Sequence, residues 1–182
     1  MKHGIPFNMM NGMTKPLLHI SLVAGLLVVP GFGWADSPAG QGAHDGGDFG
    51  FQLRVWRPLA EQGDADAQYL LGLRYDLGQG VPQDLAEAAM WYRRAAAQGN
   101  ARAQSNLGVI YFMGKGVRRD HGEAARWLRL AAEQGDGTAQ YFLGMLYERG
   151  QGVSRDHGEA AKWFRQAADQ GNIAAKLQLG LR

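Results

Sequence analysis

Four glycines, Gly63, Gly99, Gly135 and Gly171, stand 36 residues apart, and most of the landmarks between them recur at the same offset. A small-residue pair follows each of the first three (Ala65 and Ala67, Ala101 and Ala103, Gly137 and Ala139), then Leu71-Gly72, Leu107-Gly108 or Leu143-Gly144, then Tyr75, Tyr111 or Tyr147. Next come Gly-x-Gly-Val (78–81, 114–117, 150–153), an aspartate (Asp84, Asp120, Asp156), and an alanine-rich run carrying Trp91, Trp127 or Trp163. A period of roughly 20 to 50 residues predicts a stacked solenoid, in which each unit buries its apolar face only against its neighbours.

Each unit reads as two helices. Ala103, Leu107, Gly108 and Tyr111 fall on one helical face, and the glycines that follow end this helix, here termed A. The second helix, B, starts where an aspartate precedes a glutamate by three residues: Asp84 and Glu87, Asp120 and Glu123, Asp156 and Glu159. That is the spacing of a capping box, in which the two side chains satisfy free amides reciprocally. The buried face of B is predicted as Ala88, Trp91, Tyr92 and Ala95, then Ala124, Trp127, Leu128 and Ala131, then Ala160, Trp163, Phe164 and Ala167. Alanine and glycine let the helices approach closely, and tryptophan fills the space between layers. At the ends, Phe51 to Gln62 aligns with a helix B that Pro58 would kink or shorten. Ile173 to Leu181 aligns with a helix A. Eight helices are expected: a lone B, three A–B pairs and a last A. The repeat domain is placed at 49–182, with units at 63–98, 99–134 and 135–170, a capping helix at 49–62 and a partial unit at 171–182.

The N-terminal region is of a different kind. Residues 1–35 hold Lys2 and Lys15, no acid, an apolar run from Leu17 to Val29, and then Gly33-Trp34-Ala35. This reads as a secretory signal peptide cut after Ala35; the run is shorter than the roughly 20 residues that span a bilayer. Residues 36–48, rich in Gly, Ser and Pro, read as a flexible leader. The whole chain carries 19 basic and 17 acidic residues. Losing both lysines with the signal leaves 17 of each, a balance that gives no bulk attraction to nucleic acid. Cysteine is absent, which excludes disulfides and thiolate metal sites.

The pattern Ala-x-Ala, Leu-Gly-x-x-Tyr, Gly-x-Gly-Val, Asp, Ala-Ala-x-Trp and Gly resembles the Sel1-like repeat, a relative of the tetratricopeptide repeat, from Gly63 to Gln170. The resemblance implies an all-α, right-handed α/α superhelical solenoid that binds proteins or peptides, often as an adaptor in signalling or envelope assembly. It implies no enzyme, cofactor or metal. By resemblance to the tetratricopeptide arrangement, a concave groove would be lined by helix A positions spaced 3, 4 and 3 apart. Here those are Asp66, Tyr69, Leu73 and Asp76; Arg102, Ser105, Val109 and Phe112; Thr138, Tyr141, Met145 and Glu148; then Ala174 and Leu177.

Several features imitate catalytic motifs. Gly114-Lys115-Gly116 looks like a phosphate loop but follows a helix, not a strand, and recurs with the repeat. His121 and His157 could serve a metal or act as bases, and Ser154 lies beside Asp156 and His157. Their matching offsets are explained by duplication of an exposed helix start. The expected function is therefore an exported, periplasmic or secreted interaction module with a protein or peptide partner. The alternative is an envelope hydrolase of the β-lactam or cell-wall type.

Overall fold

The computed structural model describes residues 49–181, so the signal peptide and leader expected before them lie outside the described residues. All regular structure among those residues is helical: α1 (Phe49–Glu61), α2 (Ala65–Leu77), α3 (Leu85–Ala97), α4 (Ala101–Met113), α5 (His121–Glu133), α6 (Gly137–Arg149), α7 (His157–Asp169) and α8 (Ile173–Gln178). Helices α2, α4, α6 and α8 are of type A, and α1, α3, α5 and α7 of type B. This is the predicted all-α solenoid.

Short polar side chains start the helices. Asp64, Asn100, Asp136 and Asn172 each accept a hydrogen bond from the amide three residues on, at 2.7 to 3.0 Å, and so begin the A helices. Asp84, Asp120 and Asp156 each accept two amides at the start of a B helix. The reciprocal half of the expected capping box does not form. The Asp84, Asp120 and Asp156 amides donate instead to the carbonyls of Tyr75, Tyr111 and Tyr147 at 2.9, 3.1 and 3.0 Å, which ties helix B back to helix A. Glu123 is left to accept from Trp127 Nε1 at 3.0 Å and from Arg126 at 3.2 Å.

Glycine does two jobs. Inside the A helices, a Cβ on Gly72, Gly108 or Gly144 would lie 2.8, 2.6 or 2.7 Å from Tyr92, Leu128 or Phe164, so the missing side chain is what lets A and B touch. In the loops, Gly78, Gly114 and Gly150 take the left-handed conformation that ends each A helix. The second loop glycine also has positive φ and lies against the preceding B helix: a Cβ on Gly116 would come within 2.5 Å of the Leu85 backbone, and on Gly152 within 2.2 Å of His121.

Units join through tryptophan and glutamine. Trp91, Trp127 and Trp163 are buried, and each enters the apolar cluster built with the preceding B helix and its own A helix. The predicted B-helix faces are buried at every named position. Buried Gln68, Gln104 and Gln140 donate to the carbonyls of Ala60, Ala96 and Ala132, and accept from Gln98, Gln134 and Gln170 at 2.8, 2.7 and 2.8 Å. This amide ladder pairs the buried glutamine side chains on both their donor and acceptor ends, and gives the Ala60, Ala96 and Ala132 carbonyls a second donor beside the amides of Gly63, Gly99 and Gly135.

The two end helices differ from expectation. α1 runs through Pro58, on a stretch where Arg54 and Pro58 are both exposed, so the amide that proline lacks is missing at the surface and not in the core. α8 stops at Gln178 rather than continuing to Leu181. Gly180 adopts φ 68°, and the Leu181 amide closes on the Lys176 carbonyl at 2.9 Å, a Schellman turn.

Gly152→Ala should therefore cost more than about 3 kcal/mol, combining left-handed strain with backbone collision. Gly99→Ala, at φ 92° with nothing within 4 Å, should cost about 1 kcal/mol. Urea unfolding midpoints of the two variants check the difference; equal midpoints would show that the Gly152 contact is not formed.

Candidate protein-binding groove

Inner and outer faces follow from which helices meet. α4 packs directly on its A-type successor α6, closer than any two successive B helices approach, which puts the A helices on the inner side at this junction. On this inner face a cleft of about 360 Å³ opens between α2, α4 and α6. Asp76, Asn106, Val109, Met113 and Phe142 line it, together with Leu85, Ile110, Thr138 and Lys115 from the loop after α4.

Of the fourteen positions expected to line a groove, Asp76, Val109 and Thr138 border this cleft, while Ala174 and Leu177 are exposed on α8 and take no part in it. The others are placed as follows. Asp66 is exposed and accepts from Asn100 Nδ2 at 2.9 Å. Tyr69 lies against Tyr92, with ring centres 5.9 Å apart and planes tilted by 33°, and Leu73 packs on the same core. Arg102 is exposed. Ser105 is only 3% exposed, and its hydroxyl donates to Asp136, the cap of the next A helix, at 2.8 Å; it is a joint between units. Phe112 sits between His121 and Phe142 at 5.6 and 5.2 Å. Tyr141 packs on Phe142 and Phe164 at 5.5 and 5.8 Å, Met145 joins the last core cluster, and Glu148 is half-buried.

Three lining residues, Asn106, Met113 and Phe142, stand one position after Ser105, Phe112 and Tyr141. Along a helix one residue is about 100° of rotation, enough to move a side chain from joint to groove. The signal was present in the sequence, because the series Leu70, Asn106 and Phe142 changes chemistry from unit to unit.

The floor of the cleft is polar at one junction. Tyr92 is fully buried; its hydroxyl donates to Asp76 Oδ2 at 3.1 Å, and the Asn106 side chain is hydrogen-bonded to the Tyr92 hydroxyl. Burial first, and the Asp76 charge second, push the Tyr92 phenol far above its usual range, so it stays neutral and serves as a donor.

Of the features that imitate catalysis, the glycine loop and the Asp156 cap have structural roles, and Ser154 is exposed. The Gly114 and Gly116 loop ends α4 and packs on α3. His121 is half-buried against Phe112, whereas His157 is exposed. Among the described residues no group of three His, Asp or Glu side chains is placed to hold a metal ion, and no helix is long and apolar enough to cross a membrane.

The model of the Sel1 repeat matches residues 65–100, 101–136 and 137–172, each one A helix, one B helix and the glycine turn that closes them. This chain belongs to the Sel1 repeat family. Among solved structures it is similar to c5321, a protective antigen of uropathogenic Escherichia coli with an SLR fold: 49% identity, TM-score 0.68, covering 70% of this chain and 27% of that one. A Sel1 repeat protein from Oxalobacter formigenes matches at 40% identity and TM-score 0.61 over 65% of this chain and 49% of that one. The Sel1 chain thus spans about a quarter and about half of these two relatives. Helicobacter pylori cysteine rich protein B shares the fold at 18% identity and TM-score 0.50, covering 78% of this chain and 96% of that one. No curated protein matches the sequence significantly. The right-handed α/α solenoid is common to the family, whose members generally mediate protein–protein interaction and are typically non-catalytic scaffolds.

Proposed function

We propose that this Sel1 repeat chain is an exported, non-enzymatic adaptor that holds a protein or peptide partner on its concave face, in envelope signalling or complex assembly. The observation that carries the reading is the cleft between α2, α4 and α6. It concentrates residues that change from unit to unit on the inner surface, while the residues that repeat are used up by the stack. Its walls are mainly apolar, with a few fixed polar groups, the make-up of a site that anchors side chains of an extended or helical segment. Export is supported by the charged start, the apolar run at 17–29 and the small residues before Asp36.

A photo-crosslinking residue at Met113, exposed on the inner face, should trap the partner in the producing cell. The same residue at Leu130, exposed on the outer helix α5, should not. Trapping from Leu130 alone would move the binding surface to the outer face. N-terminal sequencing of the protein recovered from the periplasm or medium should begin at Asp36; an intact N-terminus retained in the cytoplasm would remove the export reading.

A further inference from the structure

The repeats provide an internal control for what the fold requires. At the junction of units two and three, Phe112, Leu128 and Phe142 occupy the positions that Asp76, Tyr92 and Asn106 occupy one unit earlier. Both junctions sit in the same stack of helices, and the apolar set supports it without a polar atom. Packing therefore does not require the polar set. Burying a phenol and half-burying a carboxylate is unfavourable unless the groups are paired, and here they are paired with each other.

The pairing fixes the carboxylate in place. Asp76 Oδ2 accepts the Tyr92 hydroxyl, and Oδ1 accepts no hydrogen bond from the described residues. Beside it lie the apolar side chains of Val109, Met113 and Phe142. A half-buried carboxylate held by a neutral donor attracts a cation more strongly than an exposed one does, because less water screens it. Lys115 also borders the cleft, but it stands on the exposed loop after α4, where solvent and salt weaken its field.

We propose that the cleft selects a partner segment presenting an aliphatic or aromatic side chain next to a lysine or arginine. The apolar side chain seats on Val109, Met113 and Phe142, and the cation meets Asp76. This rests on the concave-face reading above and adds to it a specificity determinant.

The test uses the full chain and fluorescent ten-residue peptides with a central leucine or phenylalanine flanked on one side by Arg, Gln or Glu. Anisotropy titrations should show the Arg peptides binding at least about tenfold more tightly than the Glu peptides, with the ratio shrinking as salt rises. Asp76→Asn, which keeps an acceptor for Tyr92, should bring the ratio within about twofold. Tyr92→Phe, the residue found at Phe164, should keep a clear Arg preference. Val109→Asp should abolish binding of every peptide. A preference for Glu, no preference, or one that survives Asp76→Asn or is insensitive to salt overturns the inference but leaves the groove standing. Binding untouched by Val109→Asp removes the groove itself. Failure to bind any peptide, with self-association of the chain through this cleft instead, overturns both.

Discussion

Every unit of this solenoid depends on a side chain that is missing. Gly72, Gly108 and Gly144 bring helix A against Tyr92, Leu128 and Phe164 of helix B at distances a Cβ would not permit. Once the helices are this close, alanines suffice for the rest of the interface, and the amides of Asp84, Asp120 and Asp156 reach the tyrosine carbonyls of helix A. The second loop glycine then brings each pair against the one before it, where tryptophan and the glutamine amides complete the joint. Local geometry, repeated, is enough to build the stack, as expected for a nearly one-dimensional architecture.

The functional consequence follows from that economy of contacts. Residues that recur every unit are occupied by neighbours, so recognition has to use positions the stack leaves open. On the inner face these are the helix-A positions around Asp76, Asn106, Val109, Met113 and Phe142. Comparing equivalent junctions separates what holds the fold from what varies on it. Tyr92 shows both aspects: its ring fills the notch at Gly72, as Leu128 and Phe164 fill theirs, while its hydroxyl serves the cleft.

Much of the fold was legible because its determinants are periodic. The helix order, the buried B faces and the tryptophan layers followed from spacing alone. Other parts were visible but unread: Asp64, Asn100, Asp136 and Asn172 follow the four marker glycines as local helix caps, and the glutamines recur at the same period, with partners 30 residues away that only tertiary contact sets. The second half of the capping box failed for a similar reason, since a distant carbonyl competed successfully for the aspartate amide. The groove was the least legible part. Carrying over a spacing from tetratricopeptide repeats put Ser105, buried against Asp136, where Asn106 lines the cleft. A change of one residue in phase lies below what a pattern of apolar positions can resolve.

The central claim is that the polar junction exists for recognition and that the stack does not need it. The triple variant Asp76→Phe, Tyr92→Leu, Asn106→Phe converts this junction to the set found one unit later. Urea unfolding and partner crosslinking from Met113, measured together on this variant, test the claim most directly. The account predicts an unfolding free energy no lower than about 1 kcal/mol below that of the unmodified chain, together with loss of the crosslink. A collapsed unfolding midpoint, or a crosslink that persists on the folded variant, would contradict it.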